Sequence, residues 1–188
     1  MKFNGRLIVF TLVLVALATA CKFYFGPDLD WSGFSPVIAI ALFSGFIIKQ
    51  RDWSFLLPLL ALFISDAIIH LLYINGAFKY AGFYEGQWKN YLILMSATLI
   101  GWLLKGRRTS SLLVGAIAAP TVFFLISNFG VWMGPQTSYS KDFSGLISCY
   151  TAGLPFYKNA LMATVVFLPL ILLSYNYFAQ KKTSLTIA

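Results

Sequence analysis

The sequence predicts an all-α, polytopic membrane protein built as a six-transmembrane-helix bundle, and three observations carry that prediction. The chain is 59% hydrophobic and only 11% charged, against about 25% charged residues in soluble domains. Its apolar residues gather in six runs cut by charge or by Gly, Pro and Asn, at or somewhat below the roughly 20 residues that a bilayer core demands. The cations sit in the gaps between those runs rather than on one solvated face, so the net charge of +8 is read as membrane topology and not as nucleic-acid binding. A chain of 188 residues is expected to form one integral membrane domain.

The first span, about 6–24, has the basic start and apolar stretch of an export signal, and its ALATAC resembles a lipoprotein cleavage box ending at Cys21. Retention as a transmembrane helix is the expectation, because the other five spans need a sixth for their loops to balance. The second span, about 34–49, is short, the third runs about 53–73, and the fourth, about 91–104, is short again. The fifth covers about 111–132 and the sixth about 160–178. Between the last two, Phe143, Leu146, Ile147, Tyr150 and Leu154 recur with helical spacing. They predict an amphipathic outer helix over about 142–154, ended by Pro155.

Loop charges predict the orientation. Nine of the 14 Lys and Arg residues, including both terminal sets, fall on one side of the six spans and five on the other. Asp28, Asp30, Glu85 and Asp142 join the smaller set. By the positive-inside rule both termini are cytoplasmic, in a multi-pass protein of the bacterial inner membrane. The inner turns are minimal, whereas the outer loops are long and aromatic, which suggests that whatever the protein handles arrives from outside. Trp31, Trp88 and Trp132 also fit the aromatic belt of any membrane interface.

The stretch ALFISDAIIHLLY in the third span places Asp66 and the chain's single histidine, His70, one turn apart. They lie roughly 20 and 25 Å up the helix from Trp53, in the outer half of the core. A carboxylate at a helix centre costs about 2.5–3.5 kcal/mol on insertion scales, so an intramembrane acid is a functional candidate. Asp66 could hydrogen-bond His70 and fix its tautomer, or could bond a neighbouring helix as interhelical glue. Asn128 lies one turn below Trp132 at the end of the fifth span, and Tyr157, Lys158 and Asn159 open the sixth. With Trp31 and Phe34 these groups converge on the outer mouth, amides reading polar groups and aromatics covering a ligand's body.

Small residues recur at helix-packing spacing: Ala16 and Ala20, Ala41 and Gly45, Ala97 and Gly101, Gly115 and Ala119. Cys21 and Cys149 have no metal spacing; free thiols are expected, with a disulfide as the alternative. One histidine with no nearby cysteine argues against a protein-bound metal, and no cofactor is implied. The absence of a phosphate-binding loop, a nucleophile triad or a carboxylate dyad argues against an enzyme.

The stretch FSPVIAIALFSGFIIKQRDWSFLLPLLALFISDAIIH resembles the second and third helices of the substrate-binding S components of energy-coupling-factor (ECF) vitamin transporters. Together with SNFGVWM and SGLISCYTAGLPFYKNAL it resembles, over about Phe34 to Phe178, an uncharacterised bacterial family of transport proteins related to those S components. The resemblance implies a six-helix bundle with an outward-facing pocket for a vitamin or metal-related micronutrient. It also implies a membrane coupling subunit with ATPases, docking partly on an Ala-x-x-x-Ala pattern that Ala16 and Ala20 match.

The expected function is therefore uptake of a small solute from the outer side of the lipid bilayer. Asp66, His70, Asn128 and Asn159 would contact the solute, and Trp132, Tyr150 and Trp31 would cover it. Two alternatives remain: a non-transport scaffold subunit of an envelope-assembly or secretion complex, and a proton-coupled secondary carrier.

Overall fold

In this computed structural model the described residues are 5–28, 30–48, 50–104, 108–135 and 137–179. Of the cations that set the expected topology, Lys2, Lys49, Lys105, Arg107, Lys181 and Lys182 lie outside them. The described residues form six helices: α1 (Gly5–Phe25), α2 (Val37–Ile47), α3 (Arg51–Ile74), α4 (Trp88–Leu104), α5 (Thr109–Met133) and α6 (Phe143–Ala179). Four of them, over Ile8–Phe25, Arg51–Ile74, Thr109–Met133 and Phe143–Phe178, are long and apolar enough to cross a membrane. Helix α4 has 17 residues and α2 only 11. At 1.5 Å per residue α2 covers roughly 16 Å, about half of a bilayer core.

The arrangement explains how so short a helix is accommodated. Helices α1, α3, α4, α5 and α6 pack each on the next to close a ring, and α2 runs up its middle against α3, α4, α5 and α6. Phe10 of α1 meets Phe43 of α2 edge-on, with ring centroids 5.5 Å apart. Every residue of α2 from Val37 to Phe46 is buried, whereas α1 turns Ile8, Leu12 and Val13 outward. A helix apolar on all sides belongs at a centre, and one with a single buried stripe belongs in the wall.

Small residues set the closest approach. A Cβ added to Gly45 would lie 2.2 Å from the Thr98 carbonyl oxygen, and one added to Gly101 would lie 2.6 Å from that of Leu42. Ala41 and Ala97, their partners at i−4, have no exposed surface. Thus two of the four small-residue pairs predicted from the sequence form one seam between α2 and α4. At Gly115 the tip of the Phe46 ring occupies the missing side chain's place. Ala16 is different, since it is exposed on the outer face of α1, with Ala20 half-buried beside it.

One boundary departs from expectation. The amphipathic segment and the last span are a single helix, α6, of 37 residues with Pro155 and Pro169 inside it. Pro155 removes only one rung of the hydrogen-bond ladder, and α5 supports both sides of the gap. On the N-terminal side the Tyr150 hydroxyl donates to the Leu125 carbonyl (2.7 Å); on the C-terminal side Tyr157 stacks on Phe124 (4.9 Å) and shares a hydrogen bond with Thr121 (2.9 Å). Asp142 starts the helix as its N-cap, accepting from the Gly145 amide (2.7 Å) and the Ser140 hydroxyl (2.8 Å).

Gly45→Val and Gly101→Val are each expected to cost about 3 kcal/mol by overpacking, read from equilibrium unfolding in mild detergent. Gly130→Val, at a position with open space around its Cβ, should stay within about 0.5 kcal/mol. The Gly145 and Ser140 hydrogen bonds hold the Asp142 carboxyl below its ordinary range. Because the folded value is the lower one, the cap is fully effective above the usual carboxylate pKa of about 3.9. It should be lost as pH falls through the lowered value, seen as reduced protection of the Gly145 amide, and Asp142→Ala should reproduce that loss at neutral pH.

Candidate functional site

The central helix begins only at Val37, so the ring above it is not filled by a helix. A cavity of about 440 Å³ occupies that position. Ser35, Val37 and Ile38 form its floor, and its walls include Lys22 of α1, Asp66 of α3, Leu94 of α4, Phe123 and Asn128 of α5 and Tyr157 of α6. Aromatic rings make much of the wall, with a small number of polar atoms among them, the usual makeup of a small-molecule pocket.

The polar side of the cavity is organised by Asp66, which is 5% exposed. One carboxylate oxygen is paired with the Lys22 ammonium. The other accepts from the Gln87 amide (2.7 Å) and the Tyr91 hydroxyl (2.6 Å). Three segments thus meet on one acid: the end of α1, the loop before α4, and α4 itself. Gln87 is in turn fixed by its amide donating to the Gly82 carbonyl (3.2 Å) and its oxygen accepting from the Tyr84 amide (3.1 Å). The loop of residues 75–87 can lie this close to α3 because Gly82 has no side chain. A Cβ there would be 2.0 Å from the Asp66 carbonyl oxygen and 2.5 Å from the His70 nitrogen.

The opposite rim is the loop between α1 and α2. Asn159 of α6 is buried, and its amide donates to the carbonyls of Asp30 (2.8 Å) and Ser32 (2.9 Å). Gly33, with φ of 90°, lies against the Phe156 backbone of α6, where a Cβ would be 3.1 Å from the carbonyl oxygen. At the floor the Ser35 hydroxyl is buried with no hydrogen-bond partner. A buried hydroxyl normally has one, and Ser35 is among the residues that line the cavity.

The family model of DUF6580, a family of unknown function, matches residues 1–185. The chain belongs to this family. Comparison with curated proteins and with solved structures found no match. The family match carries no link to the ECF S components.

In this DUF6580 chain the site residues expected from the sequence divide into two groups. Asp66 and Asn128 line the cavity. Asn128 also bonds its own helix, through its amide to the Phe124 carbonyl (2.9 Å), and its oxygen faces Gly153 of α6. The others stand outside the cavity lining. His70 does not bond Asp66, whose oxygens have the other partners just named; its ring packs on Phe83 (5.4 Å) and its Nδ1 is buried without a partner. Trp132 donates its indole N–H to the Ser140 carbonyl (2.8 Å), and the Tyr150 hydroxyl is bonded to backbone as described. Trp31 lies over Phe25 and Phe34, which are cavity residues. Asn159 supports the rim loop from behind. Lys22, Gln87, Tyr91 and Ser35 were not selected from the sequence. Lys22 alone offered a signal there, as a cation only four residues before the glycine that ends the first apolar run. The two cysteines are free and buried, and no cluster of metal-ligating side chains occurs among the described residues.

Removing either charge of the Lys22–Asp66 pair leaves the other desolvated. Asp66→Leu and Lys22→Met are each expected to cost about 3 kcal/mol, and the double variant clearly less than the sum of the two. Equilibrium unfolding of the four proteins in one detergent measures this, and additive costs would show that the pair is not coupled.

Proposed function

We propose that this protein is an S-component-like transport protein of the bacterial inner membrane, which binds a micronutrient-sized solute from the outer side for uptake. In this reading all six helices belong to the membrane domain, both termini are cytoplasmic, and the end with the long loops faces out, as the positive-inside rule requires. The observation that carries it is the cavity of about 440 Å³ above α2, with the unpartnered Ser35 hydroxyl at its floor. That volume falls within the range of small-molecule sites. A scaffold subunit has no use for a hollow centre, because each unfilled volume costs packing energy. The paired charges of Lys22 and Asp66 give a proton-coupled carrier its best support, since ionisable groups at membrane depth mark proton and ion pathways.

Aromatic walls with Ser35, Asn128 and the Asp66 cluster suit a solute with a flat apolar body and a few hydrogen-bonding groups. The exposure of Ala16 on α1 fits docking of a membrane coupling subunit along an Ala-x-x-x-Ala face. The energy for uptake would then come from that partner.

Native mass spectrometry of the gently purified protein tests the proposal. The expected result is one retained small molecule per chain, with any coupling subunits co-purifying. Ser35→Ala, which removes the free hydroxyl, should weaken binding of the identified solute about tenfold while leaving unfolding unchanged. Asp66→Ala should abolish retention. A protein that retains nothing, and that binds no candidate solute from a micronutrient panel, would overturn the assignment.

A further inference from the structure

A second hollow lies beside the first. It is a groove of about 690 Å³ between the start of α4 and the end of α5. Its walls are mostly apolar, with Leu92, Ile93, Ile126 and Phe129 along them, and Glu85 and Lys89 stand at its upper end. Three residues, Tyr84, Asn90 and Ser127, line both the groove and the central cavity. The Asn90 amide donates to the Tyr84 hydroxyl, so the partition is a single side-chain hydrogen bond with Ser127 beside it. Tyr84 is 58% exposed and belongs to the loop of residues 75–87, not to a helix.

We infer that Tyr84 and Asn90 form a gate between the cavity and a lateral entrance between α4 and α5. The solute enters from the side of the bundle, and it is an amphiphile whose apolar part follows Leu92, Ile126 and Phe129 while its polar part stays near Glu85 and Lys89. Three facts support this route. The two spaces share a wall one side chain thick. That wall is closed by one side-chain hydrogen bond, from Asn90 to Tyr84, with the Tyr84 backbone bonded to Gln87, whereas the rim on the α6 side is held by two bonds from buried Asn159. The groove is left open by Gly130, which lines it and around whose Cβ position there is nothing within 4 Å. The inference rests on the proposed binding function for the identity of its cargo, but the path can be tested without any solute.

Cys21 lines the cavity, and the other cysteine, Cys149, is buried away from it. In a Cys149→Ser protein the rate of Cys21 alkylation by N-ethylmaleimide therefore reports access to the cavity. Opening the gate with Tyr84→Ala or Asn90→Ala should raise that rate at least fivefold. Filling the entrance with Gly130→Trp, alone or combined with Asn90→Ala, should lower it at least fivefold relative to its parent. The rise should be larger for N-ethylmaleimide than for a charged thiosulfonate, because the groove is apolar. A rate unchanged by both openers overturns the gate, and one unchanged by Gly130→Trp overturns the lateral route. Should native mass spectrometry find no solute while the labelling follows this pattern, the binding function fails and the gate stands; the reverse pair of results leaves binding and removes the gate.

Discussion

The structure depends on one carboxylate and the three donors that satisfy it. Asp66 is 5% exposed and has to be compensated by whatever can reach it, since a buried carboxylate left alone is costly. Lys22, Gln87 and Tyr91 reach it from three different segments. The end of α1, the loop before α4 and the first turn of α4 are thereby fixed to one face of α3. Without that convergence α1, α3 and α4 lose their polar link where α2 is absent, and the cavity loses its acid and its ammonium. The same bonds that hold the bundle together therefore give the hollow its chemistry.

Much of this architecture was legible in the sequence, and the residues say why. The apolar runs gave the helices, because a segment that has to be apolar along its length leaves a continuous local pattern. Gly45 and Gly101 could be picked out by their i−4 alanines, for a close helix contact needs small residues at a fixed period. Asp66 stood out as a charge in an apolar run. Its partners did not, because they lie 44, 21 and 25 residues away in the chain and no local period connects them.

Other features were read at the right end of the molecule but in a different role. His70 has the spacing to meet Asp66, yet Gly82 brings a loop against the helix between them, and one glycine among 14 gives no sign that it will do so. The polar atoms of Trp132 and Tyr150 are taken up by backbone carbonyls. Pro155 looked like the end of a helix because its local effect is to break one rung. Support from α5 on both sides of that rung is a tertiary effect, invisible to a window that spans only neighbours in sequence.

The enclosed position of α2 has a consequence for how the chain is made. This helix is the second to leave the ribosome, and all four helices that form its main surroundings, α3, α4, α5 and α6, are synthesised after it. With 11 residues it is too short to span a bilayer alone. Until α4, α5 and α6 arrive it has to be held against α3, which begins four positions after its last residue. The centre of the protein is therefore the last part to reach its final environment, and assembly proceeds by closing a wall around a core that was there first.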